Sequence, residues 1–151
     1  MVKWLFSHLT IPPFIFAAMT SEIIYNGNLR TTARHLQSGE AIITDAPVDN
    51  QGKGEAFSPT DLVATALGSC MMTIMGIKAR DAGIDIEGTK AAVNKIMAAN
   101  PRRIAKVEVT FTMPGKNYSE DEKMMLREAA LNCPVCKSLS AECEAAVEFV
   151  W

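Results

Sequence analysis

Residues 62–77, LVATALGSCMMTIMGI, carry no charged side chain. Apolar positions 62, 63, 66, 67, 70, 71, 74 and 77 cover most of a helical circumference. A helix that is apolar nearly all round has to lie at the centre of a fold, with other elements arranged about it. Its ends are marked. Ser58-Pro59 supplies an N-cap and a first-turn proline, Asp61 suits the positive end of the dipole, and Gly83 offers a C-cap, so the helix is predicted to run from Pro59 to about Ala82. Ala66, Gly68, Ser69 and Gly76 are small and permit close approach of a second helix, including the same helix of another copy.

The flanking sequence reads as β-structure and shorter helices. Glu22–Tyr25, Leu29–His35 and Ala41–Thr44 are short β-branched or aromatic runs divided by Asn26-Gly27-Asn28 and Ser38-Gly39, the pattern of an antiparallel meander. Asp45–Phe57, DAPVDNQGKGEAF, has no period and is expected as an exposed loop. Beyond the long helix, Ile84–Ala98 and Arg103–Thr112 are expected as long strands joined at Asn100-Pro101. Ser119 and Glu122 form a capping box for a helix through Leu131. A shorter helix restarts at Asn132-Cys133-Pro134 and runs to about Ala141, and Ala145–Trp151 closes as a strand. The order βββ-α-ββ-α-α-β is that of an α+β domain.

The 151 residues include 15 basic and 17 acidic side chains, a net charge of −2, and are 48% hydrophobic and 21% charged. That suits a single domain, predicted over residues 19–151, and provides no basic field for nucleic acid or an anionic membrane. Function must therefore be read from a site. Met1–Thr20 has one lysine and an apolar run, as an export signal does, but Pro12-Pro13 interrupts it. Residues 1–18 are expected as an extension outside the fold, with Met19 an alternative start.

Four cysteines are present, at 70, 133, 136 and 143. Their placement favours redox or metal chemistry over structural disulfides, which points to a cytoplasmic location. Cys70 lies about three turns into the apolar helix, beyond reach of its dipole, where a cysteine is ordinarily an inert small hydrophobe. Cys133 stands at a helix start, where free amides favour thiolate, and its pKa is expected to fall below the usual ~8.5. The CPVC spelling also resembles a dithiol redox motif, though without the strand-then-long-helix setting of a thioredoxin unit. Cys143, His35 and His8 lack paired ligand spacing, so no metal site and no cofactor is assigned. His35 is read as a strand residue without an assigned role.

FSPTDLVATALGSC, followed 63 residues after its cysteine by NCPV, together with YNGNLR, the Ser-Gly turn and TDAPVDNQGKGE, resembles the OsmC/Ohr family (osmotically inducible protein C and organic hydroperoxide resistance). The resemblance extends over most of the chain from Ile23. It implies an α+β fold assembled as an intertwined homodimer about a long central helix, and a thiol peroxidase for organic hydroperoxides. In its terms Cys70 is the peroxidatic cysteine, Cys133 resolves the sulfenic acid, a lipoyl-type dithiol reduces the disulfide, and Arg30 supports the thiolate and orients the peroxide. Two positions depart from the pattern. Where the family usually has a glutamate partner for the arginine this chain has Thr60, leaving Glu55 or Asp61 to substitute; and Cys136 replaces a usual serine, so Cys133–Cys136 pairing competes with Cys70–Cys133. Phe57, Leu67, Met71 and Met75 are candidates to line an alkyl site, or plain core. The rival reading is a non-catalytic dimer of the same fold that binds a small apolar ligand or serves regulation.

Overall fold

The computed structural model describes residues 19–151; the expected extension over 1–18, and His8 with it, lie outside the described residues. The chain divides after Ser58 into two compact units.

The first unit is a three-stranded antiparallel meander of β1 (Ser21–Gly27), β2 (Arg30–His35) and β3 (Ala41–Asp45), in that spatial order. β2 begins at Arg30 rather than Leu29 because Asn28 and Leu29 both take left-handed backbone angles in the turn, φ 51° and 62°. Ile23 and Ile24 on β1, and Ile42 and Ile43 on β3, are all half or more exposed. Neighbours on a strand point to opposite faces, so both faces of this sheet present apolar side chains within the single chain. After β3 comes a largely exposed loop with one 3-10 turn at Val48–Asn50. Its base is stitched shut: the Asp45 amide donates to the Phe57 carbonyl (3.1 Å), Ala46 to Leu29 (3.2 Å) and Gly54 to Ala46 (3.2 Å). Gly52 is required there, since a Cβ at that position would fall 1.7 Å from the Ala46 carbonyl oxygen.

The second unit is built on helix α1 (Pro59–Ala82), followed by β4 (Lys90–Ala99), β5 (Arg102–Thr112), helix α2 (Glu120–Leu131), the short helix α3 (Pro134–Ser138) and β6 (Glu144–Val150). β5 is central, antiparallel to β4 and parallel to β6. Its inward residues Val107, Val109 and Phe111 meet the α1 face made of Ala64, Leu67, Gly68, Met71, Met75 and Ala79. α1 is thus buried on one face only within this chain; Val63 and Ile77, on its other sides, are 41% and 42% exposed. The capping box forms as expected, with Ser119 Oγ accepting from the Glu122 amide and the Glu122 carboxylate accepting from the Ser119 amide at 2.7 Å.

Two element boundaries differ from the sequence reading by three residues or more. The strand expected from Ile84 begins only at Lys90: the Ile84 N–H bonds back to the Ala79 carbonyl at the helix end (2.8 Å), and Ile86 opens a turn in which Thr89 N–H returns to its carbonyl at 3.1 Å and Gly88 has φ +90°. α3 ends at Ser138 rather than near Ala141. The fold is nevertheless the predicted α+β order βββ-α-ββ-α-α-β.

Candidate active site

The first unit carries a charge cluster. The β2–β3 register places Arg30 directly across from Asp45. Arg30 Nη2 donates to Asp45 Oδ2 at 3.2 Å and to a close ion pair with Glu55. The Asp45 side chain is fully enclosed, and the same Oδ2 accepts from the Glu55 amide at 2.9 Å. That backbone N–H, followed by the guanidinium, holds the Asp45 carboxyl below the ordinary carboxylate range against the opposing effect of burial. Hydrogen bonds to Asp45 and Glu55 in turn raise the Arg30 pKa. The arginine is therefore a fixed cation with its fork aimed by two carboxylates, and part of its side chain remains exposed.

Of the two acidic residues proposed to replace the missing glutamate, Glu55 pairs with Arg30. Asp61 belongs to the second unit, where its Oδ1 lies 2.7 Å from Lys95 Nζ, which also donates to Thr60 Oγ1 at 2.7 Å. The expected loop over Asp45–Phe57 gives Asp45 no role, whereas in the structure it ends β3 opposite Arg30. The signal lies in the hairpin itself: Arg30 and Asp45 are each seven residues from its centre at Gln37–Ser38.

The second unit carries the thiols. Cys70, half-buried on α1, and Cys133, fully buried ahead of α3, are neighbours in one core because α1 packs against α2 and α3, close enough for the two thiols to interact electrostatically. Cys133 is the N-cap of α3, its Sγ accepting from the Cys136 amide at 3.3 Å. The expected fall in the Cys133 pKa is corrected by the structure. Burial pushes the thiol up, and the Cys70 thiol adds to the rise; the single Cys136 N–H opposes them but is outweighed. A five-residue helix has little dipole to set against complete loss of water. Cys133 accordingly rests as a neutral thiol. All four cysteines are free, Cys143 among them half-buried against the core.

The four candidates for an alkyl lining are dispersed. Leu67, Met71 and Met75 are fully enclosed in the core of the second unit, whereas Phe57 belongs to the first and is 57% exposed. Among the described residues, no group of three or more His, Cys, Asp or Glu side chains is arranged to hold a metal ion.

The sequence and fold have counterparts among known proteins. A family model described as OsmC-like protein matches residues 52–148. The crystal structure of a candidate osmotic stress induced and detoxification response protein from Psychrobacter arcticus is 54% identical, covering 87% of this chain and 95% of its own, with a TM-score of 0.83. An organic hydroperoxide resistance protein OsmC from Legionella pneumophila shares the fold at 16% identity, 88% and 98% coverage and a TM-score of 0.69. A Vibrio cholerae structure described as an organic hydroperoxide resistance protein, with captopril in one active site, does so at 15% identity, 87% and 91% coverage and a TM-score of 0.67. No curated protein matches. With the matched region spanning the end of the loop, the long helix, both cysteine motifs and most of the second sheet, the chain belongs to the OsmC-like family.

Proposed function

We propose that this protein is a cytoplasmic, homodimeric thiol peroxidase that reduces organic hydroperoxides. The observation that carries the reading is the placement of Cys70 and Cys133, 63 residues apart in sequence, as two free, interacting thiols in the packed core of one compact unit. The names of the Legionella and Vibrio relatives supply the substrate class. The bare apolar faces of the meander and the exposed side of α1 favour burial against a second copy.

In this reading the Cys70 thiolate attacks one peroxide oxygen, the O–O bond breaks, and the departing alkoxide takes a proton to leave as alcohol, with Cys70 oxidised to a sulfenic acid. The Cys133 sulfur then attacks Cys70 Sγ. Its proton joins the departing hydroxide as water, and a Cys70–Cys133 disulfide remains, which a lipoyl-type dithiol reduces. Cys133 begins as a neutral thiol, which suits a resolving group that must not compete for peroxide. Arg30 is assigned the cation that steadies the thiolate and orients the peroxide, with Asp45 and Glu55 fixing its fork.

Consumption of cumene hydroperoxide in excess dihydrolipoamide tests the assignment. Native protein is expected to turn over, and Cys70→Ser to fall to the rate of buffer. Equal rates for the two proteins overturn the peroxidase reading in favour of a non-catalytic dimer.

A further inference from the structure

We propose that Cys136 is a second resolving thiol, which takes the disulfide from Cys133 and hands it to the external dithiol. The inference rests on the peroxidase reading above and extends it by one step. Its starting point is access. Cys133 is fully buried, so in a Cys70–Cys133 disulfide one sulfur is closed to solvent and the other is half-buried on α1. A reductant would have to work at the same sulfur that receives the hydroperoxide. Cys136 is half-buried one turn further along α3, and its backbone N–H is already bonded to Cys133 Sγ at 3.3 Å. An N-cap residue and the residue three positions on share the first turn of a helix, the arrangement that lets a C-x-x-C pair close.

The exchange balances without any new reagent. Cys136 loses its proton to solvent and its thiolate attacks Cys133 Sγ; the Cys70–Cys133 bond breaks, the Cys133–Cys136 bond forms, and Cys70 leaves as thiolate, ready for the next peroxide. No net oxidation occurs in this step. Charge passes from Cys136 to Cys70, and Cys133, the sulfur with no access to water, stays in a disulfide from start to finish. The dithiol then attacks Cys136 Sγ and closes to its own cyclic disulfide; its two protons return Cys133 and Cys136 to thiols.

Trypsin separates the possibilities, because Cys133 and Cys136 share the peptide 128–137 while Cys70 lies on 54–78. Protein treated with one equivalent of cumene hydroperoxide, sampled over time and trapped with N-ethylmaleimide, is expected to show the 54–78/128–137 cross-link first. It then gives way to peptide 128–137 lighter by two hydrogens, with Cys70 alkylated. In Cys136→Ser, and in Cys136→Ala as a check on packing, the cross-link persists and steady-state turnover with dihydrolipoamide falls by about tenfold or more, the half-buried second sulfur having been lost. Cys70→Ser protein treated with the thiol oxidant diamide and no peroxide should still form the Cys133–Cys136 bond. Failure of that bond to form, or a cross-link that persists in native protein with Cys136 variants turning over normally, overturns the relay alone. Loss of hydroperoxide reduction by the native protein overturns the relay together with the peroxidase reading.

Discussion

Gly68 is the residue of α1 that lets the thiol-bearing helix lie close on the second sheet, and replacing it by alanine sets two opposing effects against each other. An alanine Cβ there would come 2.9 Å from Val93 Cγ2 and 3.8 Å from Val109 Cγ1. The optimum carbon–carbon separation is about 3.5–4.0 Å, so the first contact is too close by more than half an ångström. On helix propensity alone, alanine for glycine in mid-helix stabilises by about 1 kcal/mol. Overpacking of this kind costs about 1–3 kcal/mol, and valine is stiff about χ1. Val93 is 36% exposed, which leaves it room to turn outward and places the cost near the lower half of that range, about 1–2 kcal/mol. Gly68→Ala is therefore expected to be neutral to about 1 kcal/mol destabilising despite its better propensity. In a Val93→Ala background the obstructing methyl is gone, and the same substitution should stabilise by about 1 kcal/mol. Urea unfolding at one fixed protein concentration measures both, provided m is constant across the four proteins. The expected coupling is about 1–2 kcal/mol. Additive values, with Gly68→Ala stabilising the native background by its full propensity, would refute the close seat of α1 on β4. Because Cys70 lies two residues further along the same helix, the rate of Cys70–Cys133 cross-linking is a second readout of that seat.

The charge cluster has its own tests. Asp45 has a depressed folded pKa, so its contribution to stability is complete above the ordinary carboxylate range and is lost as pH falls through the folded value. Asp45→Asn should therefore be less stable than native protein at neutral pH, the gap narrowing in acid below about pH 4, as thermal unfolding across pH would show; a gap independent of pH would exclude the ionised carboxylate as its source. Arg30→Met should slow hydroperoxide reduction on the order of 10²-fold, the usual loss when one fixed electrostatic donor is removed, with Arg30→Lys intermediate because the charge stays and the fork does not. Equal rates for native, Met and Lys proteins in the peroxide assay would remove Arg30 from the mechanism.

What could be read from sequence follows a physical division. The ends of α1 and the capping box of α2 depend on residues within a turn of one another, and both lie where Pro59, Ser119 and Glu122 put them. Ile84 and Ile86 carry the alternation of a strand, but the pattern reports only which side chains are apolar, and here both partly buried isoleucines pack against the core from the connection between α1 and β4. Asp45 shows the same gap one level up: turn residues announce a hairpin, but the register that sets Asp45 opposite Arg30 is a property of the paired strands. The sign of the Cys133 shift lay further out of reach. Its helix start, visible in Asn132-Cys133-Pro134, pulls the pKa down, whereas the burial that wins is supplied by packing about α1, whose Cys70 is 63 residues away. The half-burial of α1 belongs at the same level. Sixteen uncharged residues require an enclosed helix, and one chain encloses only one face, so the demand written into residues 62–77 is met in full only if a second surface covers Val63 and Ile77.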